Sequence, residues 1–252
     1  MISTLKFIAI GVSLLIVLAL PIVSYMKFRK DKSMFKAVLF GLLVYFAMNI
    51  LYGVMQSTIA NPQTMENPIM VGATYGIFMS VGFVLAALAV LSFVIKRNEV
   101  SYKFPAMMAL GFMLLFFVSS ISALMNQFMF GFAINSGSTA SAVNPSATPE
   151  QVQAFIDSLV NAPLIFFINS ALTRVFEYAV YMMSFILVFR GIKENSFVKT
   201  ILPAVLAIFL LYAIPGLLNS LPFGIYLAMI AQGLIAGASG YFVYNYLKGE
   251  KA

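Results

Sequence analysis

Arg174 and Glu177 stand three residues apart in the stretch TRVFEYAVYMM, Thr173 to Met183, inside a segment that is otherwise apolar. A carboxylate at Glu177 could activate an ordered water, and a guanidinium at Arg174 could hold an anionic substrate. Near the centre of a membrane helix each charge costs roughly 2.5–3.5 kcal/mol, so the pair needs a reason to be there. On a helix Ser170, Arg174, Glu177 and Tyr181 fall on one face, with Thr173 and Tyr178 beside them. The i, i+3 spacing lets the two charges compensate each other. Two readings stay open: an ion pair that fixes how this helix packs, or a polar lining that contacts a substrate or partner.

Further polar positions in apolar surroundings extend the candidate cavity. They are Asn49 and Tyr52, then Thr74, Tyr75 and Ser80, then Ser119, Ser122, Asn126 and Gln127, and finally Gln232 and Ser239. Each alone reads as an interhelical hydrogen bond of about 1 kcal/mol as readily as a ligand contact. The sequence GLIAGASG spaces Gly233 from Gly237 and Ala236 from Gly240 by four, a pattern that favours close helix packing.

The residue inventory removes most catalytic chemistry. The chain has no Cys and no His, so disulfides, thiol nucleophiles, imidazole bases and His- or Cys-based metal sites are excluded. Glu177 is the one acid well inside a span, which leaves no carboxylate pair, and every Lys lies at a loop or a span end, which leaves no Ser-Lys dyad. No phosphate-binding loop is present, and no metal or cofactor is implied.

The elements that must position these residues follow from composition. With 62% hydrophobic and 9% charged residues among 252, the chain has too little charge to cover a soluble surface. Apolar runs at about 5–26, 36–56, 69–95, 105–133, 163–189, 200–218 and 223–246 are each long enough to cross a hydrocarbon core of roughly 30 Å. The expected fold is an all-α, polytopic transmembrane bundle of about seven spans forming a single integral membrane domain over 1–252. The first run is read as a span rather than a signal peptide, because it is about twenty residues long, lacks a small-residue cleavage site and is followed by KFRKDK.

The net charge of +7 does not indicate nucleic acid, because 13 of the 15 basic residues fall in alternate loops and the C-terminal tail. The loops 57–68, 134–162 and 219–222 carry none. The positive-inside rule therefore places the N-terminus outside and the C-terminus in the cytoplasm of a cell (inner or plasma) membrane. Pro215-Gly216 is expected to break the sixth span near its outer end, and the fourth span to bend or extend by a turn at MFGFAINSGS.

One loop has structure of its own. Thr148, Pro149 and Gln151 are placed as an N-cap, first helical position and capping-box partner, ahead of Val152, Phe155, Ile156, Leu159 and Val160 on one apolar face. This predicts a short amphipathic helix over about 149–160, packed at the outer interface or lying over the mouth of the bundle.

The order of features, with ALPIVSYMKFRKDKSMFKAVLFGLLVYFAMNILYG followed by YGIFMSVG, ALGFMLLFF, LTRVFEYAVYMMSFILVFRGIK and ILPAVLAIFLLYAIPGLL, resembles the YhfC-type family of intramembrane peptidases. These are related to the CAAX-protease and bacteriocin-processing group. The resemblance implies an acidic pair followed by Arg in the third span, and a Gly-His in the fourth. Here those positions carry Met79, Ser80 and Phe83, and then Gly111 and Phe112, so only Gly111 is kept. In the fifth span a Glu-Arg of the family falls on Thr173 and Arg174, with the acid displaced to Glu177. The resemblance thus implies a catalytically silent relative that binds a transmembrane helix, a peptide or a lipid within the bilayer. By fold analogy the wider group includes the seven-span scaffold subunit of gamma-secretase, which does not itself cut. Two further readings remain: a transporter or transporter subunit holding an anion on Arg174 under a lid formed by 149–160, and a residual peptidase acting through Glu177.

Overall fold

A computed structural model describes residues 2–62, 65–97, 101, 103–137, 148–218, 221 and 223–249. They form eight helices: α1 (Thr4–Phe28), α2 (Met34–Thr58), α3 (Pro68–Arg97), α4 (Phe104–Asn135), α5 (Pro149–Asn161), α6 (Leu164–Lys193), α7 (Phe197–Leu218) and α8 (Gly224–Gly249). All but α5 are long and apolar enough to cross a membrane, one for each expected span. The chain is a polytopic helical membrane protein. In hydrocarbon an unpaired backbone group costs several kcal/mol, and a helix satisfies every one of its own except at the ends. Burial concentrates on α3, α4 and α6, whereas a third or less of the apolar length of α1, α2, α7 and α8 is buried.

The helices group into two compact units, the first built from 1–23 and 115–174, the second from 24–114 and 175–252. In the first unit the chain start is tied to the far end of α4. Ile2 donates its backbone N–H to Asn135 Oδ1 at 2.8 Å, and Asn135 Nδ2 returns a bond to the Ile2 carbonyl at 2.8 Å. Phe7 meets Phe128 edge to face at 5.4 Å, and Ser13 donates to the Phe167 carbonyl at 2.8 Å. The helix α4 continues to Asn135, into the stretch MFGFAINSGS where a tilt, a bend or an extra turn had been expected.

Within the same unit α5 has the capping box read from the sequence. Thr148 Oγ1 accepts from the Gln151 N–H, and the Gln151 side chain accepts from the Thr148 N–H. Its apolar face buries Val152 and Leu159. The linker positions 138–147 lie outside the described residues.

In the second unit α3 packs against α2 and α7, and α7 against α8. Glycine sets the closest approaches. A Cβ on Gly41 would run into the Met108 carbonyl, and one on Gly111 into the Val38 carbonyl, so α2 and α4 touch backbone to backbone. Gly72 and Gly216 do the same for α3 and α7.

The expected break at Pro215 does not occur. Helix α7 runs through Pro203 and Pro215 to Leu218. Proline at 215 leaves the Leu211 carbonyl without its usual i+4 donor. Gln232 of α8 supplies one instead, Nε2 to Leu211 O at 2.7 Å. A side-chain amide thus replaces the lost backbone bond, which is one of the ways membrane helices tolerate proline.

Candidate functional site

The polar stripe of α6 is divided between the two units after Arg174. On the first unit's part, Arg174 is half-buried and donates from Nε to Ser120 Oγ at 2.6 Å. Its guanidinium lies 5.3 Å from the centre of the Phe116 ring. A charge-assisted hydrogen bond and a cation–π contact together hold the guanidinium against α4. Thr173 is half-buried on the next position. Ser170 Oγ, on the preceding turn, and Gln127 Oε1 on α4 are buried with no hydrogen-bond partner among the described residues. Asn126 and Ser122 are exposed on α4 and Ser119 faces outward with them, so these three do not line an interior surface.

On the second unit's part, Glu177 is 2% exposed. Tyr212 of α7 donates its hydroxyl to Glu177 Oε1 at 3.0 Å, and the Tyr181 hydroxyl lies 3.1 Å from that of Tyr212. Because Tyr212 has one proton and gives it to the carboxylate, Tyr181 is the donor to Tyr212. The result is a relay from Tyr181 through Tyr212 to Glu177. Tyr75 of α3 meets the Tyr212 ring edge to face at 5.3 Å, and Tyr52 of α2 meets Tyr75 at 5.8 Å. Tyr212, which donates to the buried acid, is thus linked through tyrosine contacts to α6, α3 and α2. Tyr178, on the adjacent face, donates to Ser24 Oγ of α1 at 2.8 Å.

Directly beside this relay stands an aromatic cluster. Phe83, Phe112, Tyr181 and Phe185 are each fully buried. Tyr181 lies 4.9 Å from Phe83 and 4.5 Å from Phe112, Phe83 and Phe112 are 5.2 Å apart, and Phe185 sits 4.9 Å from Phe83. These spacings are those of interlocking rings, which fill the interior where Tyr181 enters it. Met79 and Ser80 are also buried, and Ser80 bonds the Ile77 carbonyl of its own helix at 3.1 Å.

The remaining candidates divide sharply. Gln232 is buried, but its amide is committed to the Leu211 carbonyl, so its role is to complete α7 rather than to line a cavity. Asn49 is exposed and bonds the Tyr45 carbonyl on its own helix, which removes it from the interior. Ser239 likewise bonds back to Ile235. Among the described residues no group of acidic side chains is arranged to hold a metal ion.

Sequence reasoning missed Tyr212, Ser120 and Phe116, the partners that anchor the two charges. Tyr212 had one weak signal, a lone hydroxyl in the apolar run LLYAIPG. Ser120 could not be separated from Ser119 without knowing which side of α4 faces inward. Compared with known proteins, the chain matches no family model, no curated protein and no solved structure.

Proposed function

We propose that this chain is a non-catalytic membrane protein that binds an apolar transmembrane helix. In this reading it is a silent relative of the YhfC-type intramembrane peptidases, set in the cell membrane with the N-terminus outside and the C-terminus in the cytoplasm. One observation carries the non-catalytic part. Phe83 and Phe112, which fall where the resembling family has Arg and His, are fully buried and pack against Tyr181 and Phe185. Space that hydrolysis would need for water and a scissile peptide is occupied by rings. Glu177 is enclosed with its carboxylate bonded to Tyr212, a setting that fixes it as an acceptor.

The binding part rests on α8. Leu227, Ile230, Leu234, Gly237 and Tyr241 recur at spacings of three and four, and all are exposed. A Cβ at Gly237 would meet nothing within 4 Å. Large side chains flanking an open glycine make a shallow notch into which a second helix backbone can settle.

Because the chain has no cysteine, Gly237→Cys gives a single labelling site. In liposomes, Cys at 237 is expected to form a disulfide under mild oxidation with a cysteine-bearing apolar peptide of transmembrane length, and Leu206→Cys on α7 much less. Equal cross-linking from both positions would show random mixing and remove the binding assignment. Cleavage of such a peptide by the purified protein, abolished by Glu177→Gln, would overturn the non-catalytic assignment.

A further inference from the structure

Three lysines converge on one cleft in the second unit. Lys27 ends α1, Lys103 precedes α4 and Lys248 ends α8, and with Phe28, Tyr244 and Leu247 they line a space of about 390 Å³. That volume lies in the range of small-molecule sites, roughly 300–1,000 Å³. We propose that this cleft binds the phosphodiester headgroup of an anionic phospholipid. The proposal needs only that the chain lies in a bilayer and is independent of the helix-binding role.

Two of the three lysines lie over aromatic rings. Lys27 Nζ sits 5.7 Å from the centre of the Phe28 ring, and Lys248 Nζ sits 5.7 Å from that of Tyr244. Such contacts hold an ammonium group over a ring face and still leave its N–H bonds for another acceptor. Phe28 and Leu247 are buried and floor the cleft, whereas Tyr244 is exposed at its edge. An apolar floor below a cationic rim matches an amphiphile, whose glycerol backbone and upper acyl chains accompany the phosphate. A free anion would gain nothing from that floor.

Asp31 is the neighbouring acid. It interacts electrostatically with Lys103, and Ser33 donates both its N–H and its hydroxyl to the Asp31 carboxylate. Among the described residues, three cations against one carboxylate leave the cleft positive. The other basic cluster is different: Arg190 is paired with Glu194 at 2.7 Å, and Lys193 lies over Phe189. Helix-end lysines serve topology in many membrane proteins, so a general charge effect is the alternative. Basic pockets between helix ends are also a recurrent headgroup site, with about fivefold in affinity per lysine near the surface.

The test uses the purified protein in neutral detergent micelles, titrated with dioleoylphosphatidylglycerol, dioleoylphosphatidylcholine or free glycerol phosphate. Bound lipid is counted by native mass spectrometry, and thermal stability is followed in parallel. Phosphatidylglycerol is expected to bind and stabilise, phosphatidylcholine to bind at least about tenfold more weakly, and glycerol phosphate not to compete at equal concentration. The variant K27Q/K103Q/K248Q should lose about tenfold or more in phosphatidylglycerol affinity, the arginine counterpart K27R/K103R/K248R should keep it, and K193Q/K199Q should be unchanged. If the triple glutamine variant does not fold, single K27Q and K248Q variants decide, each with an expected loss of about fivefold. Equal losses in the cleft and control variants, or stabilisation by glycerol phosphate without the lipid, would overturn the proposal.

Discussion

Gln232 gives its amide hydrogen to the Leu211 carbonyl, the one acceptor on α7 that Pro215 cannot serve. A single side chain on α8 therefore completes the backbone of α7. Replacing it with leucine of similar bulk leaves a buried carbonyl unpaired, at a cost of about 1–3 kcal/mol. The double variant with Pro215→Ala restores a backbone donor and should recover most of that loss. Thermal unfolding of the two single variants and the double variant measures the coupling directly. Additive losses would show that the bond contributes nothing to α7.

Where α2 meets α4, a methyl group has nowhere to go. Gly41→Ala and Gly111→Ala each drive a Cβ into a facing carbonyl, so each is expected to destabilise by about 3 kcal/mol or more and to reduce folded yield sharply. Gly11→Ala and Gly53→Ala, which meet open space, should stay within about 0.5 kcal/mol of the parent. Size-exclusion profiles and melting temperatures of the four variants compare the two classes.

Removing the Tyr212 hydroxyl takes one hydrogen-bond donor away from Glu177. Tyr212→Phe is expected to cost about 1–3 kcal/mol, because the buried acid loses its donor from α7. Glu177→Gln keeps an acceptor for Tyr212 and should cost less. If Tyr212→Phe left thermal stability unchanged, the relay would not be a structural element.

A titratable group outside the spans gives a pH prediction. Burial of Asp31 alone would raise its pKa, but hydrogen bonds from Ser33 and the nearby Lys103 outweigh this and hold it below the usual carboxylate value of 3.8. A depressed folded pKa contributes stability above the unfolded value, and that contribution disappears as pH falls through the folded value. Ser33→Ala should therefore lower stability by less than about 1 kcal/mol at pH 6, after solvent screening. The difference from the parent should vanish in strongly acidic buffer. Melting temperatures of both proteins across pH 2–7 provide the check, and a difference that grows toward low pH would contradict the assignment.

Lys6 of α1 donates from Nζ to the carbonyls of Leu159 and Val160, in the last turn of α5. A cation there satisfies open acceptors and offsets the negative end of the helix. Lys6→Met should loosen α5 while leaving the long helices in place. Hydrogen exchange is expected to rise several-fold over 150–161 and to stay constant in α3. No change over 150–161 would mean that burial of Val152 and Leu159 alone secures this helix.

Which parts of this architecture could be read in the sequence depends on where a helix meets water. The seven long helices were legible because bilayer thickness sets a minimum apolar length. The amphipathic α5 was legible down to its capping box, since one side faces polar surroundings and leaves a periodic pattern. Rotation of the long helices was not legible. A helix with protein on one side and lipid on the other is apolar all round, so no periodicity separates the interior from the outside. That is why Asn49 and Asn126 were expected inside and are exposed, and why Tyr212 was overlooked. The stripe on α6 was readable because charges and hydroxyls are costly against lipid. Its partners on α4 and α7 were hidden because a lone serine or tyrosine carries no such penalty.

The bonds that tie α1 down also set the order of events during synthesis. Its partners are Asn135, Val160, Phe167 and Tyr178, between 133 and 154 residues further along the chain. At about 5–20 residues per second, α1 waits many seconds after its own synthesis for these contacts. Until then it is held by hydrophobicity alone, with the Lys6 ammonium and the hydroxyls of Ser13 and Ser24 lacking their final partners. Helix α1 is thus made well before the groups that fix it, and a membrane chaperone acting on this chain would have a long window on it.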